Sequence, residues 1–193
     1  MISWHFTKNT IVSKHSRFLL FAFPSLLTLV EVNPTNIKIH MVCIPQILFS
    51  ALIMVSYVSF SDLSPYCNLC WTGIAIYEIY YLILDLEAGL IALPFLLGIG
   101  LLSNYIHTHF QDGTSAILVG ALIVHLANWA AQFYGHFHFE GNAPAVFDNL
   151  VQPLVLAPYF VIFEWMFIFK HRLPLKKKIL RKVGAQRHPK KNN

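Results

Sequence analysis

The distribution of basic residues constrains this chain more than any other feature. No lysine or arginine occurs between Lys38 and Lys170, although the chain contains 14 such residues. Apolar runs fill most of that stretch, and only 12% of the whole chain is charged, against about 25% in soluble domains. Long apolar runs with basic flanks are typical of membrane-spanning segments. The sequence therefore predicts an all-α, polytopic membrane protein.

Apolar segments close to the roughly 20 residues needed to cross a bilayer occur five times. They cover residues 41–60, 69–86, 90–106, 115–134 and 150–169. A sixth segment, 18–30, is short and contains Pro24, so it predicts an interfacial or re-entrant helix, with a short span as the alternative. The expected bundle has four to six transmembrane helices. Basic residues at both ends predict that both termini are cytosolic, which requires an even number of crossings.

Two of the connections between these segments carry turn and cap residues. The stretch 85–89 predicts a turn in which Gly89 ends a helix. The stretch 107–113 predicts a loop, and Thr114 or Ser115 is expected to cap the helix that follows.

The chain divides by composition into three parts. Residues 1–32 are a mixed N-terminal segment, residues 33–169 form the transmembrane domain, and residues 170–193 are a basic tail. A basic tail directly after a span is typical of the cytosolic side and favours anionic lipid headgroups rather than nucleic acid. Its final Lys190-Lys191-Asn192-Asn193 resembles the dilysine signal that coat proteins recognise for retrieval to the endoplasmic reticulum, and chance in a lysine-rich tail is the alternative.

A polar stripe interrupts the fourth apolar segment. His125, Gln132 and His136 are spaced to share one helix face, and a His-rich loop with Glu140 follows. Interhelical hydrogen bonds would explain single residues of this kind, whereas the whole stripe favours a site. On a continuous helix the two histidines would lie about 16 Å apart. Binding one metal ion together would require the helix to end near Gly135 and turn back; two separate ions are the alternative.

A second polar cluster precedes the first span at residues 33–40. Asn33 or Thr35 can cap the coming helix, and Asn36 and His40 share a face. The sequence contains no G-x-S-x-G, H-E-x-x-H, Walker or Rossmann motif. Histidines accompanied by carboxylates instead suit a non-haem iron or zinc site.

Both clusters resemble the 2-hydroxy-palmitic acid dioxygenase family of small endoplasmic reticulum membrane proteins. The resemblance is carried by N-P-T-N-I-K-I-H-M-V-C-I-P-Q-I-L-F-S at 33–50, W-A-A-Q-F-Y-G-H-F-H-F-E-G-N-A-P-A-V-F-D-N-L at 129–150 and L-A-P-Y-F-V-I-F-E at 156–164. It implies an Fe(II)-dependent enzyme that uses O2 to remove one carbon from 2-hydroxy fatty acids, including those from phytosphingosine breakdown. It further implies that His40, His125 and His136 are the iron ligands. Gln132 and Glu140 are candidates to orient those imidazoles.

One part of the family pattern is missing. The family carries an aromatic residue and a histidine just before N-P-x-N, where this chain has Leu29-Val30-Glu31-Val32. Glu31 stands near the missing histidine, and a carboxylate can replace an imidazole on iron. The alternative is a catalytically impaired relative that binds lipid or has a structural role. A proton or ion pathway lined by His125, Glu78 and Glu164 is a third hypothesis.

Overall fold

The computed structural model describes residues 33–61, 63–140 and 152–187. Within them the chain forms six α-helices: α1 Pro34–Ser56, α2 Leu69–Leu84, α3 Leu86–His109, α4 Thr114–Gly135, α5 Ala157–Ile168 and α6 Leu173–Arg187. A 3-10 turn precedes α4, and single π-helical turns, His136–Glu140 and Gln152–Leu156, follow α4 and precede α5. The predicted all-α architecture is confirmed. The segment 18–30 and Glu31 lie outside the described residues.

Asn33 caps the start of α1, as the sequence predicts. The Asn33 side chain accepts hydrogen bonds from the backbone N–H groups of Thr35 and Asn36, and Pro34 occupies the first helical position. Both features favour helix initiation. The helix therefore begins seven residues before the predicted apolar span at 41–60, and it ends at Ser56. His40 is in the second turn of α1, one turn after Asn36, as their predicted shared helix face requires.

The first four helices form two antiparallel pairs, α1 with α4 and α2 with α3. The start of α1 contacts the end of α4, where the Asn33 amide donates to the carbonyl of Phe139 (3.2 Å). The start of α2 contacts the end of α3, where Asn68 donates to Asn104 (2.8 Å). By length and composition α1, α3 and α4 can each cross a membrane. The 16-residue α2 is shorter but runs beside α3 over its whole length, so the bundle has four antiparallel helices.

The connection between α2 and α3 differs from the predicted turn. Asp85 ends α2 and also caps α3, because its carboxylate accepts hydrogen bonds from the backbone of Glu87 and Ala88 (both 3.1 Å). Gly89 lies inside α3 and does not end a helix. A Cβ at Gly89 would come within 2.8 Å of the backbone nitrogen of Leu82, so glycine permits close approach of the two helices. The prediction for Gly89 was therefore wrong.

The predicted loop before α4 is also shorter than expected. Helix α3 continues through His109, and the 3-10 turn Gln111–Gly113 leads directly into α4. Gly113 occupies the cap position without a side-chain hydrogen bond, so the prediction of a Thr114 or Ser115 cap was wrong. The span predicted at 115–134 agrees with α4 to within one residue at each end.

Helix α5 begins inside the bundle. The hydroxyls of Tyr77 and Tyr81 on α2 donate to the carbonyls of Leu154 and Val155 (2.7 and 2.9 Å). With 12 residues, α5 is too short to cross a hydrocarbon core of about 30 Å. Of the span predicted at 150–169, the described part Leu154–Ile168 is long and apolar enough to cross a membrane only together with Leu173–Arg181, as a bent pair.

A sharp bend separates α5 from the basic helix α6. The chain direction changes by 120° between the two helices. Lys170 and Arg172 in the connection have positive φ values of 60° and 54°. The guanidinium of Arg172 forms a bidentate ion pair with Asp85 (2.6 and 3.1 Å) and also contacts Glu87. Burial opposes the charged form, but the hydrogen bonds to Asp85 and Glu87 raise the pKa of Arg172. This ion pair fixes the bend against the α2–α3 connection.

Candidate active site

The contact between α1 and α4 is unusually close at Gly135. A Cβ at this position would collide with the amide oxygen of Asn36 and would lie 3.3 Å from the Ile39 side chain. Asn36 is fully buried at this contact. Gly135 was predicted to allow a helix break, but the chain continues helically through His136–Glu140. Its absent side chain instead lets the two backbones approach.

Two histidine rings contact each other next to this approach of α1 and α4. The rings of His40 on α1 and His136 on the π-helical turn have centroids 4.9 Å apart and are nearly perpendicular. His40 is buried, and its Nδ1 lies 3.0 Å from the carbonyl oxygen of Asn36. A carbonyl only accepts, so Nδ1 donates to it, and in the neutral imidazole the lone pair is then on Nε2. Metal-binding histidines are commonly oriented in this way by a backbone carbonyl.

The turn that carries His136 departs from α-helical geometry. The backbone N–H of His136 is shared between the carbonyls of Gln132 and Phe133, and the five residues that begin with His136 form a π-helical turn. Such turns are frequent at functional sites because they re-aim side chains within a helix. Glu140 closes this turn, and the position of its side chain lies outside what the structure describes.

His125 lies apart from the pair. Eleven residues separate it from His136 on a continuous helix, which corresponds to about 16 Å. Its Nδ1 contacts the Ser50 hydroxyl (3.0 Å) and the Ile47 carbonyl (3.2 Å), and its Nε2 accepts a hydrogen bond from the indole of Trp129 (3.1 Å). Both ring nitrogens thus have partners within the bundle. His125 links α4 to α1 as an interhelical hydrogen-bonding residue.

Gln132 lies between these two histidine positions. Its side chain is buried, and its amide nitrogen has no hydrogen-bond partner among the described residues. A buried donor without a partner is costly, at about 1–3 kcal/mol. This donor lies one turn before His136 and lines a cavity, so it can donate to a polar ligand or a water there.

The structure thus brings together two of the three predicted metal ligands. No group of three His, Cys, Asp or Glu side chains able to hold a metal occurs within the described parts of the chain. The donor set that is present, two imidazoles on different helices with one oriented by a carbonyl, fits a metal such as iron. The assignment of His125 to the same ion remains a prediction.

Two interhelical contacts near the histidines were not predicted from the sequence. Ser50 fixes His125, and Tyr77 reaches across the bundle to Leu154. Ser50 continues the polar face of α1 that contains Asn36 and His40 at helical spacing, so periodicity alone could have found it. Tyr77 had no comparable signal, because its partner is a backbone carbonyl distant in sequence.

Comparison with known proteins identifies the family. The model of the Mpo1-like family, described as 2-hydroxy-palmitic acid dioxygenase Mpo1-like, matches residues 31–169. The chain belongs to the Mpo1-like family. The 2-hydroxy-palmitic acid dioxygenase MPO1 of Saccharomyces cerevisiae is 37% identical over 139 residues, which cover 70% of this chain and 72% of the yeast protein. No solved structure matches the chain.

Membership of the Mpo1-like family places both histidine-bearing helices in one matched region. The match spans α1 through α5, including Gly135, Gln132 and the His40–His136 pair. The resemblance read from the sequence is therefore confirmed at the level of the family. Within the described residues, the paired imidazoles and the Gln132 amide nitrogen, which has no hydrogen-bond partner there, are the candidate functional groups of the matched region.

Proposed function

We propose that this protein is an Fe(II)-dependent membrane dioxygenase that shortens 2-hydroxy fatty acids by one carbon. Membership of the Mpo1-like family and the name of the yeast relative support the reaction class. The single observation that carries the proposal is the pair of His40 and His136, held 4.9 Å apart by the α1–α4 contact.

His40 and His136 would hold the iron. The bound ion would supply O2 activation and an anchoring point for the carboxylate and 2-hydroxyl of the substrate. Glu31 and His125 remain candidates for further ligands, as the sequence suggested, and Glu140 remains a candidate to orient the ligand imidazoles. The structure supports His125 less than the other two histidines, because both of its nitrogens are already hydrogen-bonded.

The protein's own groups have defined tasks in this scheme. The carbonyl of Asn36 holds His40 in the tautomer whose Nε2 can bind a metal. The Gln132 amide offers a buried donor to the substrate's carboxylate or hydroxyl oxygen. His40 and Gln132 are buried, and reduced contact with water strengthens their polar interactions.

The proposed reaction balances with O2 as its sole oxidant. The bond between C1 and C2 breaks, C2 becomes the carboxyl carbon of the shortened acid, and C1 leaves as CO2. Both oxygen atoms of O2 are accounted for in the acid, CO2 and one water. No separate reductant is needed, so no further redox cofactor is proposed.

The proposed location is the endoplasmic reticulum membrane, with a cytosolic C-terminus. The basic residues after Phe169 support this orientation, and Lys190-Lys191 would be read by coat proteins. A fusion reporter at the C-terminus tests the orientation. Replacement of Lys190 and Lys191 by serine should shift the protein away from the endoplasmic reticulum, whereas unchanged distribution would contradict the retrieval signal.

The deciding experiment is iron content by elemental analysis on the full chain purified after anaerobic Fe(II) loading. The variants His40→Ala, His136→Ala and His125→Ala are compared with His109→Ala, whose exposed ring stacks on Tyr105. Iron close to one atom per chain in the wild type and in His109→Ala, with loss in His40→Ala and His136→Ala, supports the proposal. Iron retained in His125→Ala would restrict that residue to a structural role.

Turnover is measured on the same preparations. The wild type should convert 2-hydroxy-palmitic acid into an acid one carbon shorter, with one CO2 released for each O2 consumed. A wild-type protein that binds no iron and gives no product would refute the proposal and favour the lipid-binding alternative.

A further inference from the structure

An internal cavity lies directly beneath the histidine pair. Its volume is about 70 Å³, and its walls come from α1, α2, α4 and the start of α5. Most of the lining is apolar, including Ile44, Leu48, Ala51 and Pro158. Apolar cavity walls favour hydrocarbon ligands over water. Of the residues named in the proposed chemistry, Gln132 and His125 line this cavity, and the remaining space has no role in it.

The position of the cavity follows from helical spacing. Ile44 is one turn after His40 on α1, and Gln132 is one turn before His136 on α4, so the cavity begins where the polar site ends. From Ile44 to Ala51 it extends along α1 by about 10 Å at 1.5 Å per residue. The polar groups thus stand at one end and an apolar channel leads away from them. This arrangement fits an amphiphile with a polar head and a hydrocarbon chain.

The far part of the cavity has a fixed wall. His125 and Trp129 both line it, and the hydrogen bond between them is anchored to α1 through Ser50. On the opposite side Leu154 lines the cavity while 47% of its surface is exposed. The cavity therefore has a rigid back wall and a side that opens toward the lipid.

We propose that this cavity binds the first methylenes of the substrate's acyl chain, with the wall of His125 and Trp129 aligning the chain below the histidine pair. This inference rests on the proposed function and names the substrate-selecting part of the same site. The distal chain leaves past Leu154 into the bilayer, because the cavity is too small for a whole long chain. The cavity thus selects hydrocarbon over short hydrophilic 2-hydroxy acids, and it tolerates different total lengths.

The test fills the cavity from two opposite walls. Ala51→Leu acts from α1 and Ala157→Leu acts from α5, since both alanines line the cavity. Ala127→Leu is the matched control, because Ala127 lies on α4 with an exposed side chain. Each full-length protein is assayed in lipid vesicles with 2-hydroxy-palmitic acid and with glycolic acid, the short 2-hydroxy acid that has no carbon beyond C2 to enter the cavity.

The expected result is a change in selectivity. Each buried methylene contributes roughly fourfold in binding, so displacing three of them lowers kcat/KM for the long acid by about 50-fold, mostly through KM. The short acid should change by less than about threefold, and Ala127→Leu should behave as wild type. Turnover with an unchanged long-to-short ratio in both filling variants would overturn the inference.

A binding measurement separates this inference from the proposed function. A fatty acid brominated on its first methylenes should quench tryptophan fluorescence in the wild type, and Trp129→Phe should lose that part of the quenching. Quenching without any turnover would mean that the dioxygenase proposal fails while the acyl-chain site stands. Turnover without quenching at Trp129 would overturn the acyl-chain site and leave the proposed function intact.

Discussion

Substitution of Gly135 by alanine tests whether the close α1–α4 contact assembles the histidine pair. The added Cβ would collide with the amide oxygen of Asn36 and would also lie 3.3 Å from both the Asn36 Cγ and the Ile39 side chain. Asn36 is fully buried, so the collision is relieved either by moving its side chain out of a buried position or by moving the two helices apart. Either shift changes the contact that holds His40 beside His136.

The size of the effect follows from two opposing contributions. Overpacking of a tight contact destabilises by about 1–3 kcal/mol. Replacing glycine by alanine within a helix stabilises by up to about 1 kcal/mol. Gly120 provides the matched control on the same helix, because nothing lies within 4 Å of a Cβ added there. The difference between Gly135→Ala and Gly120→Ala isolates the clash, at about 1–3 kcal/mol.

The assay combines thermal unfolding with turnover of 2-hydroxy-palmitic acid. At roughly 2–4 °C per kcal/mol for a chain of this size, Gly135→Ala should unfold several degrees below Gly120→Ala. A displacement of about 1 Å at a reacting centre can lower rates about 100-fold, so Gly135→Ala should lose 10- to 100-fold in kcat/KM. Gly120→Ala should keep wild-type activity. Equal stability and activity of the two variants would refute the argument that Gly135 sets the site.

Three further predictions concern the ends of the bundle and the metal. Arg172→Lys cannot make the bidentate pair with buried Asp85, so the free energy of unfolding should fall by about 2 kcal/mol; denaturant unfolding beside exposed Lys177→Ala checks this, and equal values would contradict it. Asn68→Ala removes the cap of α2 and the bond to Asn104, so stability should fall by about 2 kcal/mol; an unchanged melting temperature would exclude that role. Treatment with a chelator should abolish turnover reversibly while leaving the far-UV circular dichroism unchanged, because helix packing holds the bundle; loss of helicity would assign the metal a structural role.

The sequence was most informative where a local rule determines the structure. Asn33 caps α1, and the apolar run at 115–134 forms α4, as cap chemistry and hydropathy predict. The prediction for residues 85–89 was wrong because Asp85 ends α2 and caps α3 at the same time. Asp85 is also ion-paired with Arg172, which is 87 residues away. Such a partner cannot be read from a local pattern.

The polar stripe on α4 shows a second limit of sequence reading. Helical periodicity correctly puts His125, Gln132 and His136 on one side of the helix, but a shared face does not give the position of each residue along the helix axis relative to a neighbouring helix. That position decides the partner on α1: His136 contacts His40, whereas His125 contacts Ser50. Of the three residues, His136 therefore belongs to the pair with His40, whereas His125 and Gln132 line the cavity. Only the antiparallel register of the two helices could separate these roles.

The same register relates the site to one surface of the membrane. Helix α1 leads away from the histidine pair, and Ser59 pairs with Asn68 at its far end, where α2 begins its return. The 16 residues of α2 bring Asp85 back to about the level of His40, and there Asp85 binds Arg172 at the start of the basic tail. With the C-terminus in the cytosol, as proposed, the histidine pair lies toward the cytosolic leaflet and the acyl-chain cavity points into the hydrocarbon core. A 2-hydroxy fatty acid lying in that leaflet has the same orientation, head outward and chain inward. It can therefore reach the site past Leu154 without leaving the bilayer, and the shortened acid can return by the same route.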